Sequence, residues 1–472
     1  MTAGLTDDPC PPPAHRIAAA VASGAVTART VVAAHLARIE RLNSDVNAYT
    51  KVLPDRALAR ADALDAKRAA GEALGPLAGV PFSVKNLFDV AGETTLAGSK
   101  INAGDPPASR DATLVERLEA ADAILIGHVN MGEYAYDFTG ENAHCGPSRN
   151  PHDPARMTGG SSGGSAASVA AGLCALSLGS DTNGSIRVPA SFCGLFGLKP
   201  TFGRLSRAGT FPFVASLDHV GPLARCAADL AIAYDAMQGP DGRDPAQTPR
   251  PVEPAADLLE RGVAGLRIAR LGGYFAQGAE TAALAAMDRV CEALDATRTV
   301  ELPYAAAGRA AAFLVTMAEG AALHLDRLRE RAADFDPDTR SRFLAGALLP
   351  AAWVQQAQKA RRRYRDAVLP LFDEADVLIA PATPCEAPML GQKTIAIDGV
   401  EVPLRANVGV FTQPISCIGL PVVAVPLWRE GRGLPIGVQL IAAPWREDLV
   451  LRVAHRLERM GVARAPVAGA EA

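Results

Sequence analysis

The sequence of 472 residues predicts an α/β fold that is built on a mixed β-sheet. Three observations indicate this class. Apolar strand-like runs alternate with helical patterns in the first part of the chain, as over residues 79–127. Two long Ala- and Arg-rich helices are predicted over residues 306–332 and 351–372. Apolar strands then return and would complete the sheet, over residues 377–380, 422–425 and 436–441.

The chain begins with a proline-rich segment that is followed by two amphipathic helices. Acidic residues and three successive prolines precede any apolar run, so residues 1–13 are predicted to be a flexible tail and not a signal or transit peptide. Residues 15–23 and 28–42 show apolar side chains at helical spacing. Helix packing accounts for His35 in the second of these helices.

A strand, a helix and a second strand come next. Residues 79–86 are an apolar run that ends near Lys85, and a polar residue at a strand terminus is typical of sites in open α/β sheets. Asp111 can cap a helix over residues 112–120, and residues 123–127 form a buried strand. Shorter strands are predicted later, over residues 266–271 and 300–302.

Residues 158–200 contain far more glycine and serine than a packed core would choose. Glycines flank Ser161, so the main chain can adopt positive φ and approach another group closely. A helix from Ser165 would place backbone N–H groups and the positive helix end near this turn. A second Gly-flanked serine, Ser185, follows in residues 179–187. Two exposed serines in separate turns indicate a hydroxyl nucleophile and a hydroxyl relay.

A serine nucleophile needs a base, because its hydroxyl is weakly nucleophilic at its own pKa. Four histidines are nearest in sequence, but they stand in no recognisable Ser/His/Asp pattern: His128, His144, His152 and His219. Lys85 is the alternative. A lysine that is pressed against apolar surface has a lowered pKa and can act as a neutral base.

These motifs resemble those of the amidase signature family of serine hydrolases. The resemblance rests on PFSVKN at residues 81–86, GGSSGGS at 159–165 and GSDTNGSIRVPASFCGLFGLKPT at 179–201. Other positions fit the family pattern too: Asp89, Gly98, Arg187 and the run GLPIGVQ at 433–439. The similarity extends from about residue 17 to about residue 457. It implies the amidase signature fold, a large mixed twisted β-sheet with helices on both sides.

The resemblance also implies a Ser-cisSer-Lys triad. Ser185 would be the nucleophile that forms the acyl-enzyme, Ser161 the bridging serine with a cis peptide bond, and Lys85 the base. The oxyanion hole would be formed by the backbone N–H groups of Thr182, Asn183, Gly184 and Ser185. We expect neither a metal ion nor an organic cofactor.

Within the family, the runs VKNLFD at 84–89, TLAGSKIN at 95–102 and IGVQLIAAPW at 436–445 are most similar to amidases of bacterial cyanuric acid degradation. This implies 1-carboxybiuret as the substrate, with release of ammonia. Asn183 replaces a glycine that most family members have, and we expect it to narrow the choice of substrate. The alternatives are another small-amide amidase, the A component of an Asp/Glu-tRNA amidotransferase, and a binding protein that has lost the chemistry.

The sequence indicates the substrate contacts less specifically than the catalytic residues. Arg187 and Arg204 are candidates to anchor a substrate carboxylate, although Arg187 would serve equally well in a buried ion pair. The loop over residues 130–150 would form a wall of the substrate pocket with Gly132, Tyr134 and Tyr136. Alternatively, its aromatic rings would only cover the core.

One large amidase domain is expected over residues 14–465. A Pro- and Asp-rich crossing loop would lie at about 238–254, and residues 466–472 would form a tail. The uncharged windows at 157–180 and 406–428 are too rich in Gly, Ser or Pro for a membrane-spanning helix.

Composition restricts the partners and the compartment. A net charge of −4 gives no basic field for nucleic acid, and no basic cluster is interleaved with aromatic residues. The eight cysteines form no CxxC pair and fit a reducing cytoplasm. The resemblance implies a small-molecule amide substrate and a small helical subunit that resembles the C component of the amidotransferases, in a heterotetramer, or else a homodimer.

Overall fold

An eleven-stranded mixed β-sheet forms the centre of the fold. The structure is a computed structural model, and it describes residues 10–429 and 433–469. Residues 1–9 of the predicted N-terminal tail and residues 470–472 of the predicted C-terminal tail lie outside the described residues. The predicted α/β class and mixed sheet are confirmed.

The strands are β1 (Tyr49–Val52), β2 (Pro81–Lys85), β3 (Ile124–Val129), β4 (Arg149–Asn150), β5 (Asp153–Met157), β6 (Leu176–Asp181), β7 (Phe196–Lys199), β8 (His219–Ala224), β9 (Ile268–Leu271), β10 (Arg298–Val300), β11 (Val377–Pro381), β12 (Thr394–Ile397), β13 (Val400–Pro403), β14 (Val422–Trp428) and β15 (Pro435–Ala442). The order in the large sheet is β1-β3-β2-β6-β8-β7-β14-β15-β11-β9-β10. Strand β2 runs parallel to both β3 and β6, whereas β8 runs antiparallel to β6 and β7. Two small hairpins, β4-β5 and β12-β13, lie outside this sheet.

The α-helices are α1 (Ala14–Ala22), α2 (Ala28–Val46), α3 (Pro54–Ala69), α4 (Thr113–Ala120), α5 (Gly163–Ala170), α6 (Arg187–Phe192), α7 (Ala227–Met237), α8 (Thr281–Ala293), α9 (Ala305–Arg331), α10 (Pro337–Ala347), α11 (Ala351–Val368), α12 (Leu404–Asn407), α13 (Gln413–Cys417) and α14 (Glu447–Arg459). Short 3-10 helices span Lys100–Gly104, Glu133–Ala135, Ala256–Arg261, Gly273–Ala276, Ala332–Asp334 and Leu369–Asp373. No helix within the described residues has both the length and the apolarity to cross a membrane.

Strands β2, β3 and β6 are buried along their whole length. Strands that are covered on both faces are normally continuous apolar runs, because polar side chains lose their hydration there. Polar residues in these strands therefore stand out: Ser83, Lys85, His128, Ser177, Ser180 and Asp181. Several of them lie at the end of the sheet where the two serine turns meet.

The long helices differ from the sequence prediction in two ways. Helix α10 lies between the two predicted helices, and α9 packs against both α10 and α11. Helix α11 ends at Val368, and a 3-10 helix continues to Asp373. Pro370 explains the early end, because a proline has no backbone N–H and restricts the residue before it.

Asp111 does not cap helix α4, which is another difference from the prediction. The cap position is Ala112, and no side chain there accepts a hydrogen bond. The Asp111 carboxylate instead accepts hydrogen bonds from the Arg56 guanidinium and from the backbone N–H of Ala91. It therefore ties α3 to the loop after β2.

Candidate active site

Lys85 is the last residue of β2, and its side chain is fully buried. Its Nζ atom lies 2.6 Å from Ser161 Oγ and 2.9 Å from Ser180 Oγ. Ser161 follows a cis peptide bond after Gly160, in the turn before α5. Ser180 lies in β6, which is the parallel neighbour of β2. The sheet and the turn before α5 thus bring one amine and two hydroxyls together in the buried interior.

The surroundings of Lys85 favour its uncharged form. Burial lowers its pKa from the ordinary lysine value to about 7, and the nearby carboxylates of Asp218, Asp181 and Asp137 only partly oppose this shift. A lysine with such a pKa is substantially neutral at physiological pH. It can therefore accept a proton from a hydroxyl that is already within hydrogen-bonding distance.

Ser185 lies in the turn between β6 and α6 and lines a cavity. Gly184 precedes it with a φ of 140°, and a Cβ atom there would lie 2.2 Å from Thr412 Oγ1. Only glycine fits this position, because a side chain would meet both strain and a clash. Among the described residues, no hydrogen bond joins Ser185 Oγ to Ser161 Oγ.

The same turn offers free backbone donors. Within residues 10–429 and 433–469, no acceptor receives the backbone N–H groups of residues 182–185, whereas the N–H of Ile186 donates to Asp181 Oδ2. Unpaired N–H groups in the turn of a candidate nucleophile are suited to bind a developing oxyanion. These four residues are the ones that the sequence predicts for an oxyanion hole.

A buried ion pair holds the two ends of this turn. The guanidinium of Arg187, at the start of α6, lies 2.9 Å from Asp181 Oδ1, at the end of β6. Burial alone would raise the pKa of the Asp181 carboxyl, but Arg187 holds that pKa well below its usual range. The remaining guanidinium donors reach Thr412 O, Gln439 Oε1 and Ser416 Oγ. Arg187 is therefore committed to structural contacts.

The other predicted substrate contacts are placed in different ways. Arg204 lies outside the cavity, where its guanidinium contacts the Tyr234 hydroxyl and Glu253. Tyr134 is buried and donates its hydroxyl to Asn102 Oδ1. Gly132 donates its N–H to Ser161 O and therefore lies beside Ser161. Of the aromatic pair, only Tyr136 lines the cavity.

The cavity at Ser185 is lined by residues from seven parts of the chain. They are Ala135, Tyr136, Asp137, Phe138, Thr182, Asn183, Ser185, Phe213, Phe313, Thr316, Arg342, Arg405 and Gln413. Five of these residues are apolar or aromatic and eight are polar or charged, so the wall combines apolar surface with polar groups that can orient a small molecule.

Two arginines line this cavity, and their partners differ. Arg405 is surrounded by the carboxylates of Asp137, Glu141 and Asp338. Arg342 donates to Tyr136 O at 2.7 Å and stacks over the Tyr136 ring, and it forms no ion pair with any described carboxylate. Arg342 is therefore the arginine of this cavity that can form an ion pair with a ligand.

Sequence reasoning missed four of these residues: Ser180, Thr316, Arg342 and Gln413. Ser180 could have been found, because it lies within the quoted motif and β6 is the natural neighbour of the Lys85 strand. The other three come from helices α9, α10 and α13, and no local motif marks them. Only the folded chain brings them to the cavity.

One group of side chains away from the cavity has a geometry that could hold a metal ion, within the part of the chain that the structure describes: His15, Cys226 and Asp229. Both carboxylate oxygens of Asp229 already accept backbone N–H groups, from Ala14 at 2.7 Å and from His15 at 2.9 Å. Burial also raises the pKa of the Cys226 thiol. The position of Asp229 is therefore explained by its role as a cap of the N-terminal end of α1.

Comparison with known proteins gives consistent matches over nearly the whole chain. The family model described as Amidase matches residues 30–451. AtzE, which is part of the 1-carboxybiuret hydrolase of Pseudomonas sp. (strain ADP), is 56% identical, over 94% of this chain and 97% of that protein. The A component of the glutamyl-tRNA(Gln) amidotransferase of Anaeromyxobacter dehalogenans (strain 2CP-C) is 40% identical, over 93% and 94%.

A solved structure is also closely similar. It is described as an unexpected vestigial protein complex that reveals the evolutionary origins of an s-triazine catabolic enzyme. Its TM-score is 0.95 at 55% sequence identity, and the match covers 96% of this chain and 100% of that one. A second solved structure, described as an amidase, has a TM-score of 0.85 at 32% identity and covers 95% and 100%.

The position of Ser180 leads to a first prediction. Ser180→Ala should lower kcat/KM for an amide about tenfold and move its acidic limb to lower pH, because the Lys85 ammonium loses a hydrogen-bond acceptor. The measurement is the pH profile of amide hydrolysis. Ser177→Ala is the control, since the Ser177 hydroxyl contacts Ser83 and not Lys85. Identical acidic limbs in both variants would contradict a positioning role for Ser180.

Proposed function

The chain belongs to the amidase signature family of amide-hydrolysing enzymes, and we propose that it hydrolyses 1-carboxybiuret with release of ammonia. The observation that carries the chemistry is the buried contact of Lys85 with Ser161, close to the turn of Ser185. The substrate is inferred from the relative that is 56% identical and belongs to a 1-carboxybiuret hydrolase. The proposed setting is s-triazine degradation.

In the proposed mechanism Ser185 Oγ attacks the carbon of the terminal amide. The proton of Ser185 passes to Ser161, and the proton of Ser161 passes to neutral Lys85. The same relay then returns a proton to the leaving nitrogen, so that ammonia departs and an ester to Ser185 remains. Water hydrolyses this ester by the same route, which gives a dicarboxylated urea and restores Lys85 to its neutral form.

The negative oxygen of each tetrahedral intermediate would bind the backbone N–H groups of residues 182–185. The absence of protein acceptors for these groups, among the described residues, supports this assignment. One such donor is typically worth about 3 kcal/mol in the transition state. No metal ion or organic cofactor has a step in this mechanism.

Arg342 takes the role of carboxylate anchor in the proposal, in place of Arg187 and Arg204. It lines the cavity with Ser185, and the Tyr136 carbonyl and ring fix the position of its guanidinium. A guanidinium suits a carboxylate, because its planar set of donors matches the two carboxylate oxygens. A carboxylate at one end of the substrate would thus place the amide at the other end near Ser185.

A second candidate function is that of the A component of a tRNA amidotransferase, which the 40% identical relative favours. Ammonia release without tRNA or a synthetase-like partner distinguishes the two functions.

We also propose a heteromer with a small helical partner protein, since the similar solved structure is described as a protein complex. Light scattering of the chain alone and co-expressed with such a partner measures the assembly. The cysteine pattern fits a reducing cytoplasm.

Ser185→Ala should abolish ammonia release and any covalent acyl adduct. Ser161 cannot replace it, because its hydroxyl is engaged with Lys85 in the buried contact. The loss should be several orders of magnitude in kcat, as is usual for a nucleophile. Mass spectrometry of the quenched enzyme and an ammonia assay check both effects. Turnover above about 1% of the wild-type rate would contradict the assignment.

The pH profile tests Lys85 as the base. Because the neutral amine is the active form and its pKa is lowered to about 7, kcat/KM should rise with pH through this value and then level off. Lys85→Ala should remove this limb along with most of the rate. A flat profile from about pH 6 to 9 in the wild type, or an unchanged limb in the variant, would mean that Lys85 is not the base.

Arg342→Gln should raise KM for 1-carboxybiuret about tenfold to a hundredfold, because a charge-assisted contact to the carboxylate is lost. For biuret, which has no carboxylate, kcat/KM should change little. Arg340→Gln, on the same helix but outside the cavity lining, is the matched control. An equal loss for both substrates would instead give Arg342 a structural role.

A further inference from the structure

Two side-chain amides in the cavity have hydrogen-bonding groups without a partner among the described residues. Asn183 and Gln413 both line the cavity with Ser185, and their relative exposures are only 6% and 3%. Buried polar groups are normally paired, and an unpaired one costs about 1–3 kcal/mol. Such groups beside a nucleophile indicate which hydrogen bonds a ligand must supply.

The orientation of the Gln413 amide is fixed by Arg309. Arg309 Nε lies 3.0 Å from Gln413 Oε1, and its NH2 group is held by Ala406 O and Asn407 Oδ1. A guanidinium can only donate, so the oxygen of the Gln413 amide must face it. The Nε2 group has no acceptor among the described residues. Gln413 therefore presents a donor to the cavity.

Asn183 presents the opposite group. Its Nδ2 donates to Thr316 Oγ1 at 2.8 Å, on helix α9. Its Oδ1 is buried and accepts no hydrogen bond from any described residue. Asn183 therefore presents an acceptor, and helix α9 holds the amide in place.

The two amides lie on adjoining segments. Thr412, the residue before Gln413, donates its hydroxyl to the backbone carbonyl of Asn183 at 2.7 Å. This bond joins the N-terminal end of α13 to the turn of Ser185. One acceptor and one donor are thus held on neighbouring backbones beside the nucleophile.

We infer that Asn183 Oδ1 and Gln413 Nε2 recognise the –NH–CO– unit that is attached to the scissile carbonyl. Asn183 accepts the N–H of that unit, and Gln413 donates to its carbonyl oxygen. The substrate class is then an acylurea with a terminal carboxylate. This inference rests on the proposed function for the reaction and adds the residues that select the substrate. A plain alkyl amide is disfavoured, because it leaves both protein groups unpaired.

Three carboxylated amides of equal chain length separate the two contacts. Malonurate has the N–H and the second carbonyl, 3-ureidopropionate has the N–H alone, and glutaramate has methylene groups at both positions. The readout is kcat/KM of each variant relative to the wild type for each compound. Intrinsic reactivity cancels in this ratio. Because all three compounds carry the same carboxylate, a general charge effect also cancels when the compounds are compared.

Asn183→Ala should lose about tenfold or more in kcat/KM for malonurate and 3-ureidopropionate, but less than about threefold for glutaramate. Gln413→Glu keeps an acceptor for Arg309 and removes the cavity donor. It should lose about tenfold more for malonurate than for the other two compounds. Gln356→Glu, the same change at an exposed position of α11, is the matched control and should alter none of the rates.

Equal losses for all three compounds in both variants would overturn the inference, since a merely structural role affects every substrate alike. If Asn183→Ala does not fold, Asn183→Gly replaces it. If the wild type releases ammonia from none of the compounds, the proposed function fails, and calorimetric Kd values of the same compounds then test recognition separately. Wild-type Kd values that do not fall from glutaramate to 3-ureidopropionate to malonurate would overturn the inference in that case as well.

Discussion

The ion pair between Asp181 and Arg187 determines the geometry of the turn that carries Ser185. Its members close the ends of this turn, and both side chains are fully buried. Removal of one partner would leave an uncompensated charge in the interior, which typically costs about 3–5 kcal/mol. Disruption of this ion pair is therefore strongly unfavourable in free energy. The pair holds together the two ends of the turn whose N–H groups, at residues 182–185, have no acceptor among the described residues.

Burial of Lys85 has a different consequence. The free energy that favours its neutral form comes from loss of hydration, so the proposed base needs no histidine. The two hydroxyls at 2.6 and 2.9 Å leave the amine partly satisfied when it is neutral and when it is charged. The same burial in a covered strand therefore both places Lys85 and allows it to accept a proton.

The sequence predicts most of the sheet. It also indicates Lys85, Ser161 and Ser185 as candidate site residues, because each lies in a long local motif. It does not predict Arg342 or Gln413, since these depend on how α10 and α13 pack beside the sheet. Arg187 illustrates a third situation: the sequence shows an arginine beside the proposed nucleophile, but only the folded structure shows that its donors are all used. Helix α10 was missed as well, because its apolar pattern is short.

The groups proposed to perform the reaction and most of those proposed to select the substrate lie in separate lengths of chain. Lys85, Ser161 and Ser185 belong to the first half, whereas Thr316, Arg342 and Gln413 come from the helices that cover the cavity afterwards. Substitutions in the second half of the chain can therefore change the substrate pocket while the proposed catalytic residues stay unchanged. An ancestral amidase with this division could acquire a new nitrogen compound as a nutrient by gradual substitution, without passing through an inactive intermediate.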